Sequence, residues 1–316
     1  MCSFQAALTP QTIATLISVL RSRTMPTRMV LIASLVFALA GCGDGSPAGG
    51  DGEQRHVVAA FYPLAFAAER IAGNTAQVRN LTPPGAEPHD FELSGRDVRS
   101  VADAELVLYL GGGFQPALER AIESTDANAL DLLDGLELRE APGDEDPEEN
   151  GRDPHVWLDP TLFAQIALRT GAKLGRQAQA RELADELEQL DAELREGLSG
   201  CERRKLVTSH AAFGYLAARY GLEQVPITGL SPEAEPTPAD LGDVVEQVRA
   251  HGATTIFFET LVSPRLAETV AREVGASTAV LNPLEGLTER QADAGEDYFS
   301  IMRANLVALR EALSCR

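Results

Sequence analysis

Residues 182–198 read ELADELEQLDAELREGL, a run rich in alanine, leucine and glutamate, which are strong helix formers. At roughly 1.5 Å per residue, a helix of this length extends about 25 Å, or about five turns. On both sides of the run, short apolar stretches alternate with stretches of helical periodicity. The pattern therefore predicts one long helix that separates two similarly built parts of the chain.

The two flanking parts both follow a strand–helix rhythm. Residues 105–110, ELVLYL, illustrate the strands: the run is almost continuously apolar, which is typical of a buried parallel strand. Because repeated strand–helix units build a parallel sheet covered by helices, we predict an α/β fold with two lobes, each a parallel sheet flanked by helices, bridged by one long helix. The predicted bounds are 55–175 for the N-terminal lobe, 176–199 for the bridging helix and 200–316 for the C-terminal lobe.

The composition excludes one class of partner. The chain has 316 residues, with 27 lysines and arginines against 47 aspartates and glutamates, and a formal net charge of −20. A nucleic-acid-binding protein needs a basic face, so we expect no nucleic-acid partner. Most of the acidic residues are interpreted as solvated surface residues that keep the protein soluble.

The N-terminus predicts export and a lipid anchor. Residues 29–40, MVLIASLVFALA, are too few to span a bilayer but have the length of a signal-peptide core. They lead into LAGC at 39–42, which looks like a bacterial lipobox and implies cleavage before Cys42 and lipidation of that cysteine. We therefore predict a signal peptide over 1–41, with Met25 or Met29 as alternative starts. Residues 42–54 would be the lipidated cysteine and a flexible Gly-rich tether that holds the protein outside the cytoplasm, on the membrane.

Two cysteines remain beyond the leader and the anchor, Cys201 and Cys315. An oxidising compartment favours a disulfide between them, which would pin the C-terminal helix to its own lobe. Two free buried thiols are the alternative.

Three of the five histidines lie in turn-like segments. His89 lies in GAEPHD (85–90), His155 in DPHVWLDP (153–160) and His210 in VTSHAAFG (207–214). His89 and His210 follow predicted strands of different lobes, and ligands of α/β proteins bind beyond the carboxyl ends of the strands. Imidazole is a common ligand of transition metals, so we predict that the three converge on a metal ion, whereas His56 and His251 are interpreted as ordinary residues.

These three motifs, together with GLSPEAEP (229–236) and the loop at 283–284, resemble those of the periplasmic zinc- and manganese-binding proteins that feed ABC importers (ZnuA/TroA-like, cluster A-I). The resemblance implies two lobes with the metal between them and His89, His155 and His210 as ligands. The family often has a fourth ligand, an aspartate, in the loop after the last strand. This chain has Asn282 there, so the fourth ligand is expected to be Asn282 or water, with Glu259 as a further alternative.

The ligand set favours Zn²⁺ as the cargo. Manganese prefers oxygen-rich sites, and the manganese-binding members carry carboxylates, whereas imidazole suits zinc. Mn²⁺ remains the alternative metal. The acidic loop at 143–153 contains no histidine and is read mainly as a solvated loop. Acidic residues near the motifs are candidates to orient the imidazoles by position alone: Asp90, Asp153, Glu233 and Glu235.

The resulting hypothesis is a monomeric lipoprotein that captures Zn²⁺ outside the membrane and delivers it to the permease of an ABC importer. A metal-dependent surface adhesin and a zinc hydrolase are the alternatives, because a lipid anchor also suits an adhesin and three histidines with a water are also a catalytic pattern. The chain contains no His-Glu-x-x-His helix, so we predict that it is not an enzyme.

Overall fold

A computed structural model describes residues 55–140, 151–233 and 237–316. The predictions for the signal peptide, Cys42 and the tether lie outside the described residues, as do Glu235 and most of the acidic loop. Within these three ranges, no helix is both long enough and apolar enough to cross a membrane.

The N-terminal lobe is built on a sheet of four parallel strands in the order β2-β1-β3-β4. The apolar run of β3 occupies the interior of this sheet, and three of its four residues are buried. The elements of this lobe are β1 (Arg55–Ala59), α1 (Tyr62–Ala72), β2 (Ala76–Asn80), α2 (Gly95–Ala102), β3 (Leu106–Tyr109), α3 (Pro116–Thr125), β4 (Ala129–Asp131) and α4 (Pro160–Leu174).

The bridging helix is α5 (Gln177–Ser199), with 23 residues. Its leucines recur at helical spacing and are buried: Leu183, Leu187, Leu190, Leu194 and Leu198. It packs closely on α4, since a side chain at Gly171 would overlap that of Ala180. Between the two helices the chain reverses at Gly175, which has the left-handed conformation that glycine adopts without strain (φ 69°).

The C-terminal lobe contains a second sheet of four parallel strands, in the order β6-β5-β7-β8. The two lobes therefore share one strand order, and together with the bridging helix they confirm the predicted fold class. The elements of this lobe are β5 (Lys205–Thr208), α6 (Gly214–Arg219), β6 (Glu223–Pro226), α7 (Pro238–His251), β7 (Thr255–Phe258), α8 (Arg265–Val274), β8 (Ser277–Val280), α9 (Glu289–Asp293) and α10 (Tyr298–Leu313).

The C-terminal helix α10 is not confined to its own lobe, contrary to the expectation from the sequence. Tyr298, at its start, is fully buried and stacks on Phe66 of α1 with ring centroids 5.8 Å apart. Its hydroxyl donates a hydrogen bond to the carbonyl oxygen of Trp157 (2.6 Å). At the other end of the helix, Cys315 forms the predicted disulfide with Cys201, just beyond the bridging helix. Helix α10 therefore fastens the two lobes and the bridging helix together.

Candidate metal centre

The three predicted histidines converge at the carboxyl ends of the strands. His89 lies in the segment between β2 and α2, His155 immediately precedes the short 3₁₀ turn that leads into α4, and His210 follows β5. Their ring centroids are 5.6 Å apart for His89 and His155, 6.1 Å for His89 and His210, and 5.3 Å for His155 and His210. Each lobe thus brings at least one imidazole to the cleft between the sheets.

The carboxylate of Glu285 completes the cluster. Its Oε1 lies 3.4 Å from Nε2 of His89 and 3.2 Å from Nε2 of both His155 and His210. One ligand atom from each of the four residues falls within 4.8 Å of all the others. Three imidazole nitrogens and one carboxylate oxygen are the donor set and the number that a tetrahedral Zn²⁺ ion takes. The cluster can therefore hold a transition-metal ion.

Asn282 has a different structural role from the one expected from the sequence. Its Oδ1 accepts a hydrogen bond from the backbone N–H of Leu284 (2.7 Å), and its own backbone N–H donates to Asn305 (2.9 Å). The Asn282 amide therefore shapes the loop after β8, and this loop presents Glu285 to the imidazoles. The expectation of Asn282 as the fourth ligand is corrected accordingly.

One signal in the sequence could have identified Glu285. The segment 281–288 reads LNPLEGLT, and Glu285 is its one acidic residue. A carboxylate sought anywhere in this loop, rather than only at position 282, would have been Glu285.

Two further carboxylates form hydrogen bonds with two of the imidazoles at Nδ1, the nitrogen that faces away from the cluster. Asp153 Oδ1 lies 2.7 Å from Nδ1 of His155, and Glu259 Oε1 lies 2.6 Å from Nδ1 of His210. A carboxylate at Nδ1 keeps the proton there and leaves the lone pair of Nε2 free for a metal. Glu259 therefore orients His210 and is not placed as a direct ligand. His89 instead packs edge-on against Phe114, with ring centroids 4.6 Å apart.

Two of the other acidic candidates and the remaining histidines lie away from the cluster. Asp90 is exposed and donates its backbone N–H to Glu87, Glu233 is exposed, and Glu235 is outside the described residues. His56 is exposed on β1, and His251 is exposed on α7 with its Nε2 3.1 Å from Nζ of Lys205. Asp90, Glu233, His56 and His251 do not belong to the four-residue cluster.

Burial and carboxylates compete in setting the charge of the site. Burial favours the neutral imidazole and lowers the pKa of His89. Burial also opposes charge on His210, but Glu259 and Glu285 outweigh it and raise the pKa of His210 well above its usual range. In the same way, burial alone would raise the pKa of Glu285, but the imidazoles hold it well below its usual range. Without metal, the cluster favours imidazolium–carboxylate pairing, so a metal ion has to displace protons.

Comparisons with known proteins agree with this geometry. The family model described as "Zinc-uptake complex component A periplasmic" matches residues 57–312. The chain is 34% identical over 310 residues to the high-affinity zinc uptake system protein ZnuA of Bacillus subtilis, covering 90% of this chain and 97% of that protein. It is 36% identical over 305 residues to the zinc-binding lipoprotein AdcA of Streptococcus pneumoniae, covering 89% of this chain and 60% of AdcA.

Solved structures show the same fold. The laminin-binding protein Lmb of Streptococcus agalactiae, described as bifunctional with adhesin and metal-transporting activity, superposes with a TM-score of 0.74 at 30% identity, covering 83% of this chain and 100% of Lmb. The Zn(II)-bound ZnuA-like domain of Streptococcus pneumoniae AdcA gives 0.69 at 35% identity, covering 82% of this chain and 99% of the domain. The resemblance found in the sequence motifs is confirmed. The chain belongs to the family of periplasmic zinc-uptake components, which are solute-binding proteins of ABC importers and not enzymes.

Proposed function

We propose that this protein captures Zn²⁺ outside the cytoplasmic membrane through His89, His155, His210 and Glu285, and delivers it to the permease of an ABC importer. The observation that carries the proposal is the four-residue cluster, with its ligand atoms within 4.8 Å of one another. His89 and His155 belong to the N-terminal lobe, while His210 and Glu285 belong to the C-terminal lobe. A bound ion would link the lobes, and separating them on docking would release it.

The donor set supports zinc over manganese. Three of the four donors are imidazole nitrogens, which suit Zn²⁺, and the single carboxylate leaves the set poorer in oxygen than manganese prefers. The carboxylates behind His155 and His210 add to the donor strength of those imidazoles. The relatives named for zinc, ZnuA of Bacillus subtilis and AdcA of Streptococcus pneumoniae, support the same assignment.

Metal binding is tested on the full chain, purified from membranes with detergent and stripped of metal. Titration against a chelator of known affinity should show one tightly bound Zn²⁺ per chain and weaker binding of Mn²⁺. His155→Ala and Glu285→Gln should each weaken Zn²⁺ binding by roughly 100-fold or more, since removal even of an outer partner of a metal ligand typically costs 10- to 100-fold. His56→Gln, which changes an exposed histidine, is the matched control. Equal affinities for the control and His155→Ala would refute the site.

The anchor and the transport step are tested in cells. Cys42 lies in the lipobox-like LAGC, so wild-type protein should incorporate labelled fatty acid and Cys42→Ala should not. A strain that lacks the gene should lose high-affinity zinc uptake, and the wild-type gene should restore it while Glu285→Gln should not. Normal zinc uptake in the deletion strain, together with reduced surface adhesion, would favour the adhesin alternative. We further propose that the protein is a monomer, which sedimentation of the detergent-purified protein checks.

A further inference from the structure

A cleft in the N-terminal lobe gathers positive charge on a chain whose formal net charge is −20. It lies between helix α2 and the strands β1 and β2, and its volume is about 500 Å³. The charged residues that line it are Arg79, Arg96, Arg99 and Asp103. This arginine cleft shares no residue with the four-residue metal cluster, so a ligand bound there would have a function separate from metal coordination.

The arginines line the cleft from two sides. Arg96, Arg99 and Asp103 follow one another at spacings of three and four residues along α2, and such residues share one face of a helix. On the opposite side, Arg79 of β2 is aligned with Val58 of β1, and both line the cleft. The helix and the edge of the sheet therefore present three guanidinium groups to one space that is open to solvent.

A carboxylate fixes one of these guanidinium groups. Nη2 of Arg79 lies 2.5 Å from Oδ1 of Asp97, whose carboxylate also takes part in the capping box at the start of α2. Among the described residues, neither Arg96 nor Arg99 forms an ion pair or a side-chain hydrogen bond. Three positive charges thus face two negative ones, those of Asp97 and Asp103. The unused guanidinium groups have planar sets of N–H donors that match the oxygens of a phosphate group.

The arginine cleft also lies close to the proposed lipid anchor. One of its lining residues is His56, near the start of β1, and about a dozen residues separate this strand from Cys42. A Gly-rich chain of that length has an r.m.s. reach of about 20 Å. A lipid on Cys42 would therefore hold the cleft near the membrane surface, where anionic phospholipids attract arginine and repel the acidic remainder of the protein.

We propose that the arginine cleft binds the phosphate group of an anionic phospholipid in the membrane that holds the anchor. The proposal rests on the lipidation of Cys42 proposed above and goes beyond metal binding. Arg96 and Arg99 donate to the phosphate oxygens, and Arg79, held by Asp97, adds positive charge beside them. Since one arginine at an anionic membrane surface favours binding by about fivefold, the pair on α2 favours it by about 30-fold.

Fluorescence quenching on vesicles tests this contact in the full lipidated protein. A fluorophore is attached at Ala102→Cys, an exposed position on α2 outside the cleft lining, and the vesicles contain a lipid with a quenching headgroup. Cys201 and Cys315 are joined in a disulfide, which leaves the introduced cysteine available for labelling. Quenching should be at least about twofold stronger in phosphatidylcholine mixed with phosphatidylglycerol than in phosphatidylcholine alone, and high salt should weaken it.

The double variant Arg96→Gln/Arg99→Gln should lower the ratio of docked to undocked protein by about 30-fold and return quenching to the level of pure phosphatidylcholine. Arg265→Gln/Arg272→Gln is the matched control, because it removes the same charge from exposed positions on helix α8 of the other lobe and should leave the quenching unchanged. The Zn²⁺ affinity of both double variants should equal that of the wild type, which verifies that they fold.

Equal quenching in the two kinds of vesicle would overturn the proposal, as would equal quenching of the two double variants. Inorganic phosphate at millimolar concentration should leave the quenching in place; its loss would identify a soluble anion as the occupant and overturn the assignment to a lipid. Failure of the wild-type protein to float with phosphatidylcholine vesicles would instead refute the proposed anchor. Flotation and quenching therefore distinguish failure of the anchor from failure of the cleft.

Discussion

Asp191 lies on the bridging helix α5 and joins it to the helix that follows His210. Its Oδ1 and Oδ2 accept hydrogen bonds from Nε and Nη2 of Arg219 on α6, both at 2.9 Å. Its Oδ2 also accepts from Nη2 of Arg195, one turn along α5 (2.9 Å). Asp191→Asn keeps the size of the side chain but removes the charge that these two guanidinium groups share.

The cost of this substitution follows from the pKa of Asp191. Burial alone would raise the pKa, but hydrogen bonds from Arg219 and Arg195 outweigh it and lower the pKa from 3.8 to about 2. At 1.36 kcal/mol per pKa unit, the difference corresponds to about 2 kcal/mol. Solvent screening reduces this value to about 1–2 kcal/mol, because Arg195 and Arg219 are 55% and 30% exposed although the side chain of Asp191 is only 13% exposed. Since the folded protein depresses the pKa, the stabilisation is present above pH about 4 and is lost as the pH falls towards 2.

Urea unfolding in the presence of a chelator measures this contribution without interference from bound metal. At pH 7, Asp191→Asn should lower the free energy of unfolding by about 1–2 kcal/mol. The deficit should shrink between about pH 4 and pH 2, where the carboxylate is protonated in the unfolded chain but still charged in the folded protein. Glu188→Gln, at an exposed position on the same helix, should stay within about 0.5 kcal/mol of wild type. A deficit for Asp191→Asn as small as that of Glu188→Gln, or one that is independent of pH, would refute the reasoning.

Three further results are expected. Gly171→Ala should lower the free energy of unfolding, measured by urea, by about 1–3 kcal/mol, because the new methyl group overlaps Ala180. The control Gly242→Ala in helix α7 meets no atom within 4 Å and should raise the free energy of unfolding by up to about 1 kcal/mol. Similar effects of the two substitutions would contradict the close contact between the helices. Replacing both Cys201 and Cys315 by serine should cost about 2–5 kcal/mol by the same measurement, and reduction of the wild-type protein should reproduce the loss. Zn²⁺ affinity, measured by competition with a chelator, should weaken as the pH falls from about 8 to 5.5, because protons compete with the metal for the imidazoles. Neighbouring carboxylates raise the pKa of His155 and of His210, which strengthens this competition. An unchanged affinity would argue against ligation by histidine.

Local pattern was sufficient for the elements and for most of the site. The apolar run at 105–110 predicts a buried strand, and β3 occupies Leu106–Tyr109 within it. His89 and His210 could be expected at one cleft from the sequence, because each follows a predicted strand of a different lobe and ligands of α/β proteins bind beyond the carboxyl ends of the strands. For strands followed by short loops, the spacing of residues along the chain largely determines where those residues lie in the fold.

Helix α10 shows where spacing is insufficient. Its periodicity predicts a helix with an apolar face, but that face could pack on either lobe. The choice depends on the aromatic side chains of distant elements: Tyr298 stacks on Phe66 of α1 and lies 4.6 Å, centroid to centroid, from Phe163 of α4. Periodicity specifies which side of a helix is buried and not which surface buries it, so the link from α10 to the N-terminal lobe could not be predicted.

Glu285 was missed for a related reason, which lies in the backbone of its loop. Leu284 adopts a left-handed conformation (φ 60°), which is costly for a residue with a branched side chain, and sequence patterns do not predict it. The conformation is held by full burial of Leu284, by the hydrogen bond from its N–H to Asn282, and by the hydrogen bond from Trp157 Nε1 to the carbonyl oxygen of Pro283 (2.7 Å). Trp157 lies two residues after His155, so the segment that supplies one imidazole from the N-terminal lobe also holds the loop that supplies the carboxylate from the C-terminal lobe. The sequence of the loop offers Glu285 as its one acidic residue, but the position of Glu285 beside the three imidazoles is a consequence of packing between the lobes.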